Sequence, residues 1–184
     1  MTITLPIRTI FDVETKWVSD NPYEPEITSV TLINTENPDE ILFYEEDEMD
    51  ACMEYLIASP GLVGFNSKGF DLPVLMKYVD RGNGRLIRSK PHYDIYDEFM
   101  RIHRRRISLN NIARNTLGIG KFELTNNTAI SLWKNNPKML LAYNAYDTYL
   151  TYLLYVHTVA FGGLSFKLPT LQRFVPETIS RPSI

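Results

Sequence analysis

The sequence predicts an α/β fold in which a mixed five-stranded sheet is flanked by helices. Three segments rich in β-branched and aromatic residues precede the first helical segment, and strands and helices then alternate along the chain. This order predicts a meander of three strands to which later strands add in parallel. The chain has 184 residues, of which 44% are hydrophobic and 12% aromatic, so it is long and apolar enough to bury a full core.

The individual elements follow from local residue patterns. The strands are expected at about 6–13, 26–35, 40–45, 61–66 and 91–96. The helices are expected at about 47–59, 71–81, 97–105, 108–117, 126–135 and 137–160. Ser108 suits the N-cap of one helix, Gly118 its left-handed end, and Pro137 the first turn of the last helix. We therefore expect one domain at residues 1–160 and a C-terminal tail at 161–184 that wraps the domain or is mobile.

The first strand ends in two acidic residues that share one face. Asp12 and Glu14 follow the apolar residues Ile10 and Phe11, and side chains two apart on a strand point the same way. Two carboxylates this close repel each other unless a cation lies between them or one of them takes up a proton. Asp12 and Glu14 are therefore candidate metal ligands, although a D-x-E triplet also arises by chance in about every second chain of this length.

A third acidic residue, Asp71, stands at the start of a predicted helix. It follows a short apolar strand that ends at Asn66, and Pro73 lies in the first turn of the helix. An Asp at such a position ordinarily caps the backbone N–H groups of the helix, and that structural role is the alternative to a metal site. A role as a ligand requires that the fold bring Asp71 to the other carboxylates.

The last predicted helix carries Tyr143 and Asp147 on one side, because residues four apart project from the same helical face. Aromatic residues at helical spacing usually pack in a core, and we expect this of Tyr146, Tyr149 and Leu153. Asp147 is an ionisable group among apolar neighbours and therefore needs a partner.

The segment Tyr93-x3-Asp97 repeats this spacing in a different setting. It has the pattern of a strand leading into a helix, where such a pair would lie roughly 13 Å apart along the strand. Tyr93 and Asp97 are therefore expected to be structural, whereas Asp94 is a candidate to face the site.

Three motifs together resemble those of a known nuclease superfamily. They are F-D-V-E-T at 11–15, G-F-N-x3-F-D-L-P-V-L at 64–75 and Y-N-A-Y-D-T-Y-L at 143–150. In this order they are similar to the three exonuclease motifs of the DnaQ-like, or DEDD, 3′–5′ exonucleases. The tyrosine four residues before Asp147 resembles the DEDDy branch, which includes the proofreading domains of family A and family B DNA polymerases. The DEDDh branch has a histidine where this chain has Ala142.

The resemblance spans about residues 5–157 and implies a ribonuclease H-like arrangement of the sheet. The segment 107–121, with its Leu-Gly helix end and Lys121, is similar to the region that these exonucleases carry between the second and third motifs. The resemblance also implies a site for two Mg²⁺ or Mn²⁺ ions. The implied catalytic residues are Asp12, Glu14, Asp71, Tyr143 and Asp147, of which the four acidic residues are the metal ligands.

The implied reaction is hydrolysis of phosphodiester bonds at single-stranded 3′ ends. DNA is favoured over RNA, but RNA stays open, because no motif reports the contacts to the 2′-hydroxyl that decide this choice. Asp12 would bridge two ions, one of them shared with Glu14 and Asp147 and the other with Asp71. Tyr143 would orient the attacking water, because a phenol with a pKa near 10 is a poor base at neutral pH. The residues expected to hold the terminal base and sugar are Thr15, Trp17, Asn66 and Phe70.

The formal net charge of −3 argues against an extended grip on duplex nucleic acid, because tight duplex binders tend to be basic. The densest basic patch lies at residues 101–106 and contains four arginines. Either it contacts phosphates or it is an ordinary solvated helix face. The residues assigned to phosphate contact are Arg104, Arg105 and Arg106. The acidic run at 45–48 is expected to be a solvated helix start that the helix dipole favours.

The sequence also predicts a soluble, cytoplasmic protein. Its one cysteine, Cys52, permits no internal disulfide, and the sequence has neither a signal-peptide pattern nor an apolar run of membrane-spanning length. The chain has no room for a polymerase, so proofreading would require a separate polymerase or repair partner. Two other functions stay open: an inactive DEDD fold that binds nucleic acid or protein, and a structure-specific endonuclease with the same site.

Overall fold

The computed structural model describes residues 4–18, 21–122, 135–167 and 177–178, with backbone alone at 17–18, 21–24, 137 and 177–178. Its centre is a five-stranded sheet of order β3-β2-β1-β4-β5. The strands span Thr9–Val18 (β1), Asn21–Asn34 (β2), Asn37–Tyr44 (β3), Leu62–Gly64 (β4) and His92–Asp94 (β5). Strands β1 to β3 form an antiparallel meander, and β4 and β5 add in parallel beside β1. The predicted fold class is therefore confirmed.

The described helices lie close to most of the predicted ones. They span Met49–Ala58 (α1), Asp71–Leu75 (α2), Arg81–Arg88 (α3), Ile95–His103 (α4), Leu109–Leu117 (α5) and Pro137–Phe161 (α6), with 3₁₀ turns at Glu46–Glu48 and Met76–Tyr78. The Ser108 side chain caps α5 by accepting from the N–H of Asn111, and Gly118 ends the helix at a φ of 75°. The acidic run before α1 is exposed, and the Glu48 carboxylate accepts from the N–H of Glu45.

The prediction of one helix at 71–81 is wrong, because the chain forms α2, a 3₁₀ turn and then a separate helix, α3. The Asp80 carboxylate caps α3 by accepting from the N–H groups of Gly82 and Asn83. The sequence pattern does not predict α3, since Gly82 and Gly84 disfavour helix. The buried side chain of Ile87 anchors α3 to the core. In a similar way β5 ends two residues early, because Asp94 caps α4.

The two faces of the sheet pack against different helices. Phe11 and Val13 of β1 lie in a core cluster with residues of α1 and α2. Ile10 lies in another cluster with Tyr155 of α6. Because side chains alternate along a strand, Asp12 and Glu14 lie on the face that Ile10 occupies. The fold therefore turns the first acidic pair towards α6.

Helix α6 packs across β1 and β2. The inner face of its middle turns is unusually polar, and its buried polar residues are Asn144, Asp147, Thr148 and Thr151. Tyr146 is partly buried against the core, as expected. The expectation that Tyr149 belongs to the core is wrong, since it is 38% exposed, and Leu153 is only partly buried. The helical period turns these two residues outward once the polar side chains face the sheet.

Two predicted regions fall largely outside the described residues. The helix expected at 126–135 lies almost wholly within 123–134, and much of the expected tail lies within 168–176 and 179–184. The described part of the tail includes a short strand β6, Ser165–Phe166, which pairs antiparallel with β7, Glu177–Thr178. Phe166 is buried in a cluster with residues of α4, α5 and α6.

Candidate active site

Three carboxylates from the first and third motifs meet between β1 and α6. Asp12, Glu14 and Asp147 each offer an oxygen, and these oxygens lie within 4.8 Å of one another. Strand alternation places the first two on one face, and the inner side of α6 supplies the third. The structure therefore brings together residues that are more than 130 positions apart in the sequence.

Asp147 has one engaged and one unsatisfied carboxylate oxygen. Its side chain is 2% exposed, and its Oδ2 lies 2.5 Å from the Nζ of Lys121. Its buried Oδ1 has no hydrogen-bond partner among the described residues. Burial raises the pKa of Asp147, while Lys121 and the Tyr143 hydroxyl lower it in part. A buried hydrogen-bond acceptor without a partner lowers the stability of the fold, so Oδ1 is suited to bind a cation.

The other two carboxylates are strained electrostatically in the metal-free protein. Burial and the nearby charge of Asp147 together raise the pKa of Glu14 to about 7, although Lys121 acts to lower it. Burial also raises the pKa of Asp12 well above its ordinary value, with further contributions from Asp71, Glu14 and Asp147. A divalent cation would relieve this repulsion, because it favours the ionised form of every carboxylate around it.

Asp71 joins the site but does not cap its own helix. It is the first residue of α2, and no side-chain hydrogen bond caps that helix. Instead its Oδ1 accepts from the N–H of Val13 at 2.8 Å, which ties α2 to β1 between the two acidic residues of the first motif. Burial raises the pKa of Asp71, the hydrogen bond from the Val13 N–H offsets part of this rise, and the charges of Asp94 and Glu14 add to it. The resulting pKa is about 7.

Tyr143 lies beside the three carboxylates on α6. The Nζ of Lys121 is 5.3 Å from the centre of the Tyr143 ring, which is within the range of a cation–π contact. Burial and the charge of Asp147 raise the pKa of Tyr143, so its hydroxyl keeps its proton at neutral pH. Burial lowers the pKa of Lys121, but Asp147 and Tyr143 raise it by more, and the ammonium stays charged.

A cavity of about 370 Å³ opens over this cluster. Asp12, Glu14, Asp71 and Asp147 all line it. Of the four residues expected to hold a terminal base and sugar, Asn66 and Phe70 also line it, whereas Thr15 does not. Trp17 belongs to β1, but its side chain is outside the described part of the structure. Asn66 adopts a left-handed backbone with a φ of 61°, which is unusual for a residue other than glycine and typical of functional loops.

The arginine segment leads directly into the wall of the cavity. Arg104, Arg105 and Arg106 are exposed, and Arg104 ends α4 in a left-handed conformation with a φ of 51°. The next three residues, Ile107 to Leu109, line the cavity. Arg101 differs from the others, because it pairs with Glu98 at 2.6 Å.

Two residues of the site were not assigned to it from the sequence. Lys121 belongs to the segment that resembles these exonucleases, but its long-range pairing with Asp147 has no local signal in the sequence. Asn144 donates from Nδ2 to the Oδ2 of Asp12 at 3.0 Å. The one sequence signal for Asn144 is its position beside Tyr143 in the third motif.

Asp94 faces the loop after β4 rather than the cavity. It is 2% exposed, and its carboxylate accepts from five donors. They are the N–H groups of Asn66, Lys68, Tyr96 and Asp97 and the hydroxyl of Ser67. Asp94 therefore holds the backbone of the loop that presents Asn66, and at the same time it caps α4.

The family model of the RNase_H superfamily matches residues 9–159. The chain belongs to the RNase H superfamily. The predicted ribonuclease H-like arrangement is thus confirmed. Among the residues that the structure describes, none of the helices of this RNase H superfamily chain combines the length and hydropathy that a membrane span requires.

A solved structure shares this RNase H-like fold. The family B DNA polymerase from the hyperthermophilic archaeon Pyrobaculum calidifontis matches with a TM-score of 0.66 and 16% sequence identity. The match covers 85% of this chain and 25% of the polymerase, so this chain spans about a quarter of the polymerase's length. Together, the family and this fold support the relationship to DnaQ-like exonucleases that the three motifs indicated. No curated protein matches the sequence.

Proposed function

We propose that this chain is a metal-dependent 3′–5′ exonuclease that hydrolyses phosphodiester bonds at single-stranded ends, with DNA favoured over RNA. The observation that carries the proposal is the convergence of Asp12, Glu14 and Asp147 within 4.8 Å in an RNase H-like fold. Such a fold typically uses divalent ions for nuclease chemistry, and the cluster joins one buried acid, Asp147, to two partly buried ones.

The donor set fits Mg²⁺ or Mn²⁺. All the available ligands are carboxylate oxygens, which hard divalent cations prefer, and the Oδ1 of Asp147 is buried without a partner. We assign one ion to Asp12, Glu14 and Asp147, and a second ion to Asp12 and Asp71. When bound, two such ions would supply positive charge for activation of a water and for stabilisation of the leaving 3′ oxygen.

The remaining polar groups of the site have distinct roles. Tyr143 keeps its proton at neutral pH and orients the attacking water by hydrogen bonding. Lys121 holds the Asp147 carboxylate through its ammonium group. It also places a permanent positive charge at a cavity that must accept a phosphate, which helps to offset the four acidic residues.

The cavity is suited to one terminal nucleotide. Its volume of about 370 Å³ lies in the lower part of the range for small-ligand sites. Phe65 and Phe70 line it and offer apolar surface to a base, and stacking contributes about 1–3 kcal/mol per base without reading sequence. Asn66 offers an amide to the sugar or base. We also assign Thr15 and Trp17 to contacts with the terminal base and sugar.

The exposed segment Arg104–Arg106 is assigned to the phosphates that follow the terminal nucleotide. It adjoins Ile107 in the cavity wall, so a strand that enters the cavity passes close to it. We further propose that residues 1–160 form the nuclease domain and 161–184 an accessory tail. We also propose a polymerase or repair protein as a partner.

The test is digestion of oligonucleotides labelled at either end, with Mg²⁺, Mn²⁺ or EDTA. We expect metal-dependent shortening of single strands from a free 3′ end and none when that end is blocked. Asp12→Ala and Asp147→Ala should abolish hydrolysis while the far-UV circular dichroism spectrum stays native. Asp39→Asn, an exposed substitution on β3, is the matched control and should retain activity.

Each alternative function predicts a different gel. Cleavage of a circular single strand would show that the protein is a structure-specific endonuclease rather than an exonuclease. Binding of single strands without any cleavage would indicate an inactive binding module. Substantial hydrolysis by both Asp12→Ala and Asp147→Ala would overturn the assignment of the site. Parallel DNA and RNA substrates decide the sugar preference, which depends on contacts to the 2′-hydroxyl.

A further inference from the structure

Asn144 is a fully buried polar residue in the centre of the candidate site. It is 0% exposed and stands on α6 between Tyr143 and Asp147. Its side-chain amide uses both of its ends. The Nδ2 group donates to the Oδ2 of Asp12 on β1 at 3.0 Å, and the Oδ1 accepts a hydrogen bond from the hydroxyl of Thr31 on β2.

These two bonds fix the orientation of the amide. An ionised Asp12 carboxylate only accepts hydrogen bonds, so the NH₂ group of Asn144 faces Asp12. The amide oxygen then accepts from the Thr31 hydroxyl, which can donate or accept. Asp12 and Thr31 are direct cross-strand partners, so their side chains lie side by side on the face that α6 covers. The amide therefore joins one turn of α6 to two neighbouring strands.

The chain of contacts links two proposed metal ligands that belong to different elements. Asp147 is on the same helix as Asn144, one turn further along, and Asp12 is 132 positions away from Asn144. The bond to Oδ2 restrains rotation of the Asp12 carboxylate and thus the direction in which its other oxygen points. Partners of this kind usually tune metal affinity by about 10–100-fold.

We propose that Asn144 is a positioning residue, which sets the place and orientation of Asp12 relative to Asp147 and thereby the affinity of the site for divalent ions. This inference rests on the proposed metal-dependent function. Thr31 acts through Asn144, because its hydroxyl bonds the amide oxygen rather than a carboxylate. A residue that merely fills buried space would affect stability and leave metal affinity unchanged.

The test measures Mn²⁺ binding to the full chain by titration calorimetry without substrate, together with kcat and KM at saturating Mn²⁺. Asn144→Ala should weaken Mn²⁺ binding by about 10–100-fold. Thr31→Val is nearly isosteric and should weaken it less, by about 3–10-fold, because the amide loses only its orientation. The double variant should bind Mn²⁺ like Asn144→Ala alone, since the Thr31 hydroxyl bonds the amide of Asn144 and not the Asp12 carboxylate.

Thr158→Val is the matched control. Thr158 is also a fully buried residue of α6. Its hydroxyl donates to the Leu154 carbonyl and interacts with the Tyr93 side chain, and neither group belongs to the carboxylate cluster. This variant should lose some thermal stability and keep the Mn²⁺ affinity of the wild type. If Asn144→Ala does not fold, Thr31→Val decides the question, because it perturbs the same amide without opening a cavity.

Three results would overturn the proposal. They are wild-type Mn²⁺ affinity in Asn144→Ala, wild-type affinity in Thr31→Val, or additive losses in the double variant. The proposed function has a separate readout. A wild-type protein that binds Mn²⁺ but cleaves no nucleic acid would refute the exonuclease assignment, while the affinity ratios would still decide the role of Asn144. A wild-type protein that binds no Mn²⁺ would refute both.

Discussion

Asp71→Asn is expected to stabilise the metal-free protein at alkaline pH. Asp71 is 3% exposed, and its surroundings raise its pKa from the ordinary 3.8 to about 7. A raised carboxyl pKa means that the fold disfavours the ionised form. The metal-free protein therefore loses stability as the pH rises from about 4 towards 7. Asparagine removes this cost, and its side-chain oxygen still accepts from the N–H of Val13.

The size of the effect follows from the shift in pKa. About three pH units, at 1.36 kcal/mol per unit, correspond to about 4 kcal/mol at pH 8. Relaxation of the site and entry of water reduce this figure, so we expect a gain of about 2–4 kcal/mol. At pH 5 the folded protein keeps Asp71 protonated, and the expected gain falls to about 1–2 kcal/mol. The same substitution should abolish or strongly reduce metal-dependent hydrolysis.

The assay is urea unfolding in EDTA at pH 5 and pH 8, with the free energy of unfolding extrapolated to water. Asp39→Asn is the control, because it removes the same charge from an exposed position and should change stability little at either pH. In saturating Mn²⁺ the order should reverse, since the wild type gains more from the ions than the variant does. The reasoning is refuted if Asp71→Asn shows no gain at pH 8, or a gain at pH 5 as large as at pH 8.

Three further predictions concern the groups around the carboxylates. Tyr143→Phe should keep Mn²⁺ affinity and lower turnover by about 10- to 1000-fold, because it loses only the hydroxyl that orients the water; normal turnover with collapsed affinity would make Tyr143 a packing residue. Lys121→Met should destabilise the metal-free protein by about 1–3 kcal/mol, because Asp147 loses its ion-pair partner. Saturating Mn²⁺ should restore the lost stability in thermal unfolding. An equal loss of stability with and without Mn²⁺ would contradict this reasoning. Replacing Arg104, Arg105 and Arg106 with alanine should weaken the binding of oligonucleotides of every sequence and flatten the salt dependence of that binding, measured by fluorescence anisotropy. Replacing the exposed Arg85 with alanine should do neither. An unchanged salt dependence would show that the three arginines form an ordinary solvated face.

The sequence by itself determined the class of fold and the main candidates for the site. Those predictions depended on the spacing of residues within single strands and helices, which the local sequence encodes. Residues two apart on a strand share a face, which paired Asp12 with Glu14. Residues four apart on a helix do the same for Tyr143 and Asp147. Turn and cap residues such as Ser108 and Gly118 carry equally local signals, and the structure has both of them in those roles.

Only the tertiary structure decided what the buried polar groups contact. Asp71 had the local pattern of a helix cap, yet its carboxylate bonds the N–H of Val13, 58 positions away. Tyr149 had the pattern of a core residue, yet α6 turns it outward and buries Asn144. The partner of a buried polar group depends on how distant elements pack, and local spacing does not encode that packing. For the same reason the pairing of Lys121 with Asp147 could not be derived from the sequence pattern alone.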